Sequence, residues 1–568
     1  MTRPVTTMTN LTPILPDDQL APAGHAARRA GVGFTTARLS TWAGDAQILR
    51  DVSLTIEPGE LVAVIGASGA GKTTLLELLA TVRLARRGQV SLDGLDPADH
   101  ARVLRSRVGF VPQDDIVHSE LPLGRTLRYA AALRLPPGSD ADAAVDTTLA
   151  RLDLADRRDV AVGALSGGQR KRASIAVELL AGPDALLLDE PTSGLDPATA
   201  SSVVGLLRTV SDRGSTVVFT THSVQDVYGC DRLIILGAGG RLVYDGPVAG
   251  AAAAFEVDDL VDVYAMVAHE AAAAAWAAHH RLALDRDDAA PAAGDGSQLV
   301  VPLSRARLLT QVRTLAARGA EITVRSRLTL AILLGSPALV IAMFVVLFRR
   351  GAFDAQPPQP SALVMIVFWV AFGGFFFGLT SGLLQICTER AIMRREQLSG
   401  VSPTAYVASK VVVLTPFLVV VVAATLGVLR LLDRLPAVDG STWAVLLVTL
   451  ALDAVAALAL GLATSAAVTT PAQAALALPM LCFPAVLFSG AILPVAVMAP
   501  LGRWISALMP DRWTFEAVAD RLGLPDRLDA TWHATDALPL AHTWLILLAF
   551  IGVLLVVTRQ LVVRGGRR

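Results

Sequence analysis

One short stretch of the chain has the residue types and spacing of a phosphate-binding loop. Residues 66–73 read GASGAGKT and match the pattern G-x-x-x-x-G-K-[ST]. In that pattern backbone N–H groups close around phosphate oxygens, the lysine supplies a compact charge to the β- and γ-phosphates, and the last hydroxyl reaches Mg²⁺. Lys72 and Thr73 would take these two roles. The stretch therefore predicts a nucleoside triphosphate site that also uses Mg²⁺.

The residues on either side of this loop predict the elements that position it. Residues 61–65 are continuously apolar and predict a buried parallel strand, while residues 74–79 predict a helix. A loop between strand and helix presents N–H groups and a favourable helix dipole to an anion. Outside that context the stretch would be an ordinary glycine loop.

A second apolar strand, residues 185–188, ends in two carboxylates. Because the strand is buried, Asp189 and Glu190 would lie at its mouth, beside the phosphates. Asp189 would hold Mg²⁺, directly or through water. Glu190 would act as general base on the attacking water. The alternative interpretation is a buried strand with ordinary acidic ends.

Three further polar features follow apolar strands or precede a helix. Residues 165–169 read LSGGQ and place small residues before a basic helical stretch, where free N–H groups favour an anion. Gln113 follows a strand and a turn, and His222 ends another apolar strand. A glycine turn can simply cap a helix, and one glutamine or histidine indicates little. Their order and spacing favour a shared site.

Together these motifs resemble the nucleotide site of the ATP-binding cassette (ABC) family, over residues 34–250. The set comprises Walker A (66–73), the Q-loop at Gln113, the signature (165–169), Walker B (186–190), the D-loop (193–196) and the switch at His222. The resemblance implies ATP and Mg²⁺ as cofactors and four catalytic residues: Lys72, Gln113, Glu190 and His222. It implies Mg²⁺ contacts from Thr73, Gln113 and Asp189. It implies ATP contacts from Trp42, Gly66, Ser68, Gly69, Gly71, Lys72, Thr73, Thr74, Ser166, Gly168 and Gln169.

The resemblance also implies a partner, because the family sandwiches two ATP molecules between two cassettes and this chain carries one. Ser166 and Gly168 would then contact the γ-phosphate held by Lys72 of a second protomer, and a homodimer is the simplest form. Trp42 lies where family members place an aromatic that stacks on adenine. It could equally cover the edge of the domain.

Composition indicates a large, partly membrane-embedded protein. The chain has 568 residues, more than one core usually holds, and 53% are hydrophobic. Mean hydropathy is +0.53, which suggests membrane spans. A net charge of −1 gives no indication of a nucleic-acid partner. Three widely spaced cysteines favour neither a disulfide framework nor a zinc cluster.

The apolar residues are unevenly distributed, which predicts a domain order. We expect an α/β P-loop NTPase fold followed by an all-α transmembrane domain of six helices. The predicted regions are a disordered cytosolic leader (1–30), the cassette (31–250), a helical extension and linker (251–300), an amphipathic connecting helix (301–327), and the transmembrane domain (328–568). The predicted spans are 328–348, 363–386, 407–431, 443–466, 474–495 and 544–563, with an external loop at about 497–542.

The domain order, with the cassette first and six spans after it, resembles that of the G-subfamily of ABC exporters and its bacterial half-transporter relatives. Residues 241–246, 389–396 and 406–410 support the resemblance. Many eukaryotic members stabilise the last external loop with disulfides, whereas this loop contains no cysteine. The resemblance implies a multi-pass protein of a bacterial-type cytoplasmic (inner) membrane, surrounded by lipids, with its cassette in the cytosol. Six crossings agree with this topology, and the arginine distribution agrees only in part.

Two features of the predicted spans suggest a path for cargo. In this family spans two and five line the central path, and here they carry Phe376, Phe377, Phe483 and Phe488. Aromatic side chains would suit an apolar or amphipathic substrate, although ordinary packing is an equal alternative. Asp453 lies in the middle of span four, where a carboxylate is costly and indicates either a function or a paired structural role.

A charged segment between spans two and three, residues 389–396, predicts a cytosolic coupling helix that packs on the cassette near Gln113. A solvated charged loop is the alternative. The whole pattern predicts an ATP-driven exporter of a lipid-like, amphipathic or drug-like substrate. A membrane-anchored ATPase that transmits force or a signal without cargo would carry the same cassette motifs.

Overall fold

The structure is a computed structural model that describes residues 31–287, 308–354, 359–525 and 538–567. The predicted leader (1–30), most of the predicted linker and residues 301–307 of the predicted connecting helix lie outside these ranges.

The N-terminal part is built on a mixed sheet, which has nine strands in the described residues. Their spatial order is β4-β1-β2-β9-β8-β3-β7-β6-β5. The central strands β3, β6 and β7 are parallel and buried along their whole length, as continuous apolar runs require. The strands are β1 Phe34–Ala43, β2 Ala46–Ile56, β3 Leu61–Gly66, β4 Arg87–Leu92, β5 Val108–Val111, β6 Ala185–Leu188, β7 Thr216–Thr220, β8 Arg232–Gly237 and β9 Arg241–Pro247.

Helices cover both faces of this sheet, and two apolar cores lie between helices and strands. The helices are α1 Lys72–Leu79, α2 Pro97–Arg107, α3 Leu123–Arg134, α4 Ala141–Arg151, α5 Gly167–Leu179, α6 Pro197–Asp212, α7 Val248–Ala254, α8 Leu260–Val267 and α9 Glu270–Asp287. Helices α7 to α9 form the predicted Ala-rich extension. They return to the sheet, where Phe255 packs on Trp276 at 4.8 Å between ring centroids.

Helix α10, Leu308–Arg325, precedes the membrane helices and is amphipathic. Its buried residues Gln311, Leu315 and Arg318 recur every three to four positions, so they share one face. That face packs on α3 of the cassette and on the third membrane helix.

The C-terminal part is helical, as predicted, and six of its described helices are long and apolar enough to cross a bilayer. They agree with the six predicted spans. The six are α11 Arg327–Leu347, α12 Pro360–Leu383, α14 Pro403–Leu431, α15 Gly440–Ala467, α16 Pro471–Phe488 and α19 Leu540–Arg567. Shorter helices are α13 Arg390–Leu398 between spans two and three, and α17 Pro500–Ala507 and α18 Pro510–Arg521 between spans five and six.

Helices α12 and α15 form the core of the membrane part. Glycines bring them into backbone contact: a Cβ on Gly378 would lie 1.9 Å from the carbonyl oxygen of Ala454, and one on Gly461 would lie 2.6 Å from that of Leu379. Most of both helices is buried, whereas α11, α16 and α19 are largely exposed. Interior prolines occur in α11, α14 and α16 (Pro337, Pro416, Pro479 and Pro484).

Candidate nucleotide-binding site

The phosphate-binding loop joins β3 to α1 and has room only for glycine at two of its positions. A Cβ on Gly66 would lie 2.2 Å from the carbonyl oxygen of Leu236, and one on Gly71 would lie 2.7 Å from a methyl of Leu49. Gly66, Gly69 and Gly71 also have φ values of 151°, 80° and 94°, a region that L side chains rarely adopt. The loop is therefore a backbone cradle at a helix N-terminus, which suits phosphate oxygens.

Lys72 begins α1 and turns its ammonium group into this cradle. Its Nζ donates to the carbonyls of Gly66 at 2.8 Å and Ala67 at 3.2 Å. Burial lowers the pKa of Lys72, while the charges of Glu190 and Asp189 act to raise it. Ser68 and Thr73 are exposed and Thr74 is half-buried at the same helix start. The predicted Walker A residues therefore lie together around the positive charge of Lys72, an arrangement that suits a phosphate anion.

A single hydroxyl group contacts both of the acidic residues that follow β6. Thr220, at the end of the neighbouring strand β7, donates to Oδ1 of Asp189 at 2.6 Å and accepts from the N–H of Glu190 at 2.8 Å. Asp189 is only 3% exposed. Thr220 was not among the predicted site residues, although it directly precedes the Thr221–His222 pair at the end of its strand.

Glu190 is held between the two polar residues that the sequence placed beside it. Nε2 of Gln113 donates to one carboxylate oxygen at 3.1 Å, and Nε2 of His222 contacts the other. The backbone of Glu190 has φ 46°, which is costly for a non-glycine residue and is typical of functional positions. Both carboxylate oxygens are therefore fixed while the group remains near the phosphate cradle.

The signature residues begin α5 and stabilise its first turn. Ser166 caps the helix by accepting from the N–H of Gln169, and the Gln169 side chain accepts from the N–H of Ser166. A Cβ on Gly168 would lie 2.4 Å from a methyl of Thr199 in α6. Lys171, one turn further along α5, donates to the carbonyl of Gln113 at 2.8 Å. The exposed start of α5 is thus joined to the Q-loop.

Trp42 lies at the end of β1 and is partly exposed. The guanidinium of Arg87 lies 5.4 Å from the centre of its ring. A role in stacking on adenine stays a prediction.

The donor set fits ATP and Mg²⁺. The loop leaves no room for a side chain at Gly66 or Gly71. Thr73 lies beside it in the first turn of α1. The Asp189 carboxylate supplies the hard oxygen ligand that Mg²⁺ prefers. Lys72, Asp189 and Glu190 are close enough for their charges to interact.

The far end of α5 meets the membrane part of the chain at a buried charge cluster. Glu178 accepts from both terminal nitrogens of Arg134 at 2.8 and 2.9 Å, and Nε of Arg395 in α13 lies 3.5 Å away. Glu178 and Arg395 are 5% and 8% exposed. Burial would raise the pKa of Glu178, but Arg134 and Arg395 outweigh it and hold the pKa below its usual value.

Helix α13 is the predicted coupling segment, and its burial excludes the solvated charged loop. Glu396 forms a two-point ion pair with Arg318 of α10, while Glu389 accepts from Lys410 at 2.7 Å. His118, five residues beyond Gln113, is buried beside this cluster. The contact with the cassette is made through Glu178 of α5, and Lys171 of the same helix holds the backbone of Gln113. These ion pairs join residues far apart in the chain, and sequence analysis did not find them.

The predicted cargo-path residues fall into two groups. Phe483 of α16 is 70% exposed, and Phe376 and Phe488 are partly buried. Phe377 is 3% exposed and Asp453 is 0% exposed, so both lie inside the protomer in this conformation.

Comparisons with known proteins match the N-terminal and C-terminal parts of this chain to two different family models. Residues 49–193 match the family model described as ABC transporter, and residues 310–521 match the one described as ABC-2 type transporter. A solved structure described as the ATP-binding subunit of an ABC transporter aligns with 42% of this chain and 99% of its own, at 26% identity and a TM-score of 0.38.

Two curated relatives show how far the similarity extends. The chain is 35% identical over 551 residues to the ABC transporter ATP-binding/permease protein Rv1747 of Mycobacterium tuberculosis, covering 94% of this chain and 63% of that protein. It is 39% identical over 211 residues to ABC transporter G family member 22 of Arabidopsis thaliana, covering 35% of this chain and 28% of that protein. The chain therefore spans less than two thirds of the length of these relatives.

Proposed function

We propose that this chain, which belongs to the ABC transporter family, hydrolyses ATP at the site described above and uses it to move a substrate across a membrane. The observation that carries the proposal is helix α5. It begins with the signature residues at Ser166 and reaches the buried pair of Glu178 with Arg395 at its other end. Thirteen helical residues form a rod of about 20 Å, long enough to link the two sites rigidly.

Each residue of the proposed hydrolytic site has a distinct task. The N–H groups of the loop, Lys72 and the start of α1 would bind the phosphates. Thr73 and Asp189, with Gln113 nearby, would hold Mg²⁺, which stabilises charge on the phosphate oxygens when bound. Glu190 would take the proton from the attacking water, since Gln113 and His222 hold its two oxygens in place. Thr220 would fix the carboxylate of Asp189 and the backbone of Glu190.

A second protomer would complete the site. Ser166 and Gly168 would contact the γ-phosphate held on another cassette, because they lie at the N-terminus of α5, where Ser166 and Gly167 are exposed and the helix dipole favours an anion. We propose a homodimer, because both motif sets are intact in one chain. Closure of the two cassettes would then push on α5 in each protomer and, through Glu178, on α13.

The proposed cargo is lipid-like or amphipathic, and the proposed location is a bacterial-type inner membrane with the cassette in the cytosol. The exposed Phe483 and the partly buried Phe376 and Phe488 support an apolar cleft between protomers. If all six candidate helices cross the bilayer, the cassette and the end of α19 would lie on the same side. The relatives of the G family support the cassette-first half-transporter class.

The test is the ATPase activity of the purified full chain in nanodiscs, titrated with fractionated native lipid and with amphipathic drugs. Glu190→Gln should still bind ATP but lose about 10²- to 10⁴-fold of its turnover, because the general base is gone. Turnover near that of the unsubstituted chain would refute the assignment of Glu190. Stimulation by one lipid fraction supports lipid export, and stimulation by drugs alone supports a multidrug pump. A flat response would favour an ATPase that transmits force or a signal without cargo.

A further inference from the structure

Two buried carboxylates from different elements lie together in the membrane part of the chain. Asp453 is in the middle of α15, and Asp511 is the second residue of α18. Asp453 is 0% exposed and Asp511 is 1% exposed. Among the described residues, none of the four carboxylate oxygens has a partner at full hydrogen-bond geometry, although the Thr514 hydroxyl lies near Asp453 and the N–H groups of Asp511 and Arg512 lie near the Asp511 carboxylate. The two groups are close enough for the charge of Asp511 to act on Asp453.

No described cation neutralises this pair. Arg512, the next residue of α18, forms its ion pair with Glu516 at 3.1 Å. Helix α12, whose Gly374 lies beside Asp453, contains no titratable residue. The remaining titratable or charged residues on the packed elements are Cys482 of α16, Arg503 of α17, Asp520 and Arg521 of α18, His542, Arg559, Arg564 and Arg567 of α19, and Tyr406, Lys410 and Arg430 of α14. Lys410 is paired with Glu389, and Arg503 donates to backbone carbonyls.

Two ionised carboxylates cannot share such a place. Removing each charge from water without a partner costs several kcal/mol, and their mutual repulsion adds to that cost. Protonated acids avoid both penalties, because each neutral group can donate to the other or to the hydroxyl of Thr514, which is also fully buried. Burial raises the pKa of Asp511 to about 8, which agrees with this.

We infer that Asp453 and Asp511 form a proton-binding site that fastens helix α18 to span helix α15. Helix α18 lies in the connection between spans five and six, which five crossings place on the side opposite the cassette. While the protons are bound, the neutral acids hold the two helices together. When α18 moves away and water enters, the acids are solvated and release protons to that side. The site therefore couples proton binding to the position of α18.

The first test is infrared spectroscopy of the full chain in nanodiscs, which detects the carbonyl stretch of protonated carboxylic acids. At pH 7 we expect such a band in the unsubstituted chain, and we expect Asp453→Asn and Asp511→Asn each to remove part of it. Asp520→Asn is the matched control, because that acid lies on the same helix with an exposed side chain. If both variants keep the full band, the pair is ionised and the inference is wrong.

The second test measures amide hydrogen exchange of α18 in the same nanodiscs. Asp511, with a pKa of about 8, would be roughly tenfold more ionised than protonated at pH 9. We therefore expect α18 to lose protection at pH 9 relative to the double variant Asp453→Asn/Asp511→Asn, whose carboxamides cannot ionise, and to match it at pH 6. Equal protection at both pH values would overturn the link to α18.

A bound cation would also neutralise the pair, and the same samples separate it from protons. If the infrared band is absent at pH 7 and appears only after treatment with a chelator, the site holds a metal ion and the proton assignment is refuted. The infrared titration of the unsubstituted chain needs no variant, so it decides the question even where the Asn variants do not fold.

Discussion

Replacing Gly378 by alanine should separate the two helices at the core of the membrane part. A Cβ at this position would lie 1.9 Å from the carbonyl oxygen of Ala454, whereas real Cβ contacts essentially never fall below 3.0 Å. The backbones must therefore move apart by roughly 1 Å, and overpacking of this kind costs about 1–3 kcal/mol. Alanine recovers about 1 kcal/mol of helix propensity, so the net loss is smaller than the steric cost.

Gly427 of α14 provides the matched control, because a Cβ there meets no atom within 4 Å. Gly427→Ala should stabilise the chain by about 0.5–1 kcal/mol through the same propensity gain. The two variants should then differ by the steric cost of about 1–3 kcal/mol, a factor of roughly 5 to 150 in the unfolding equilibrium.

The assay is reversible unfolding of both variants in mixed micelles, followed by tryptophan fluorescence. The unfolding midpoint of the Gly378→Ala variant should fall below that of the unsubstituted chain. It should in any case fall well below the unfolding midpoint of Gly427→Ala. If Gly378→Ala proves as stable as Gly427→Ala, then α12 and α15 do not touch through their backbones and the description of this core is wrong.

Three other changes test the cassette and its junction with the membrane helices. Thr220→Val should raise the Mg²⁺-ATP concentration needed for half-maximal ATPase about 5- to 30-fold, since the lost hydroxyl holds the Asp189 carboxylate and the backbone N–H of Glu190; an unchanged value would refute that role. Arg318→Met or Glu396→Leu alone should cost about 3–5 kcal/mol of stability, and the double variant less, in a thermal double-mutant cycle; simple additivity would contradict the buried pair. Burial, together with the charge of Arg318, lowers the pKa of His118 to about 4. Between pH 6.5 and 4, His118 is therefore neutral in the folded chain but takes up a proton in the unfolded chain. Stability should therefore fall by about 3 kcal/mol as pH drops from 6.5 towards 4; His118→Gln should flatten this dependence in melting curves, and the exposed His269→Gln should not.

The cassette could be predicted from sequence because its chemistry lies in contiguous motifs. Each of them joins a buried strand to a loop or helix, and parallel strands bring their ends to one edge of the sheet. Lys72, Asp189 and Glu190 therefore came together as expected. Thr220 escaped notice because a threonine at a strand end carries no distinctive pattern.

The membrane part shows where sequence analysis ends. Span two is apolar on every side, so its pattern cannot tell which phenylalanines face a cleft and which face the protomer interior. The pattern therefore could not show that Phe377 is buried inside the protomer. The charge cluster was equally hidden, because Arg134 and Glu178 are 44 residues apart and Arg318 and Glu396 are 78 apart. Asp511 lay in a segment read as an external loop, with nothing to indicate its partner.

Three of the six described membrane helices contain interior prolines. An interior proline removes a backbone hydrogen bond and lets a helix bend, and such prolines lie in α11, α14 and α16. The described residues of the buried helices α12 and α15 include no interior proline, so their backbone hydrogen bonding is not interrupted in this way. Helix α16 has two interior prolines, Pro479 and Pro484, five residues apart. Each proline-containing helix therefore lacks a backbone hydrogen bond at a defined position, which is where a bend would cost least.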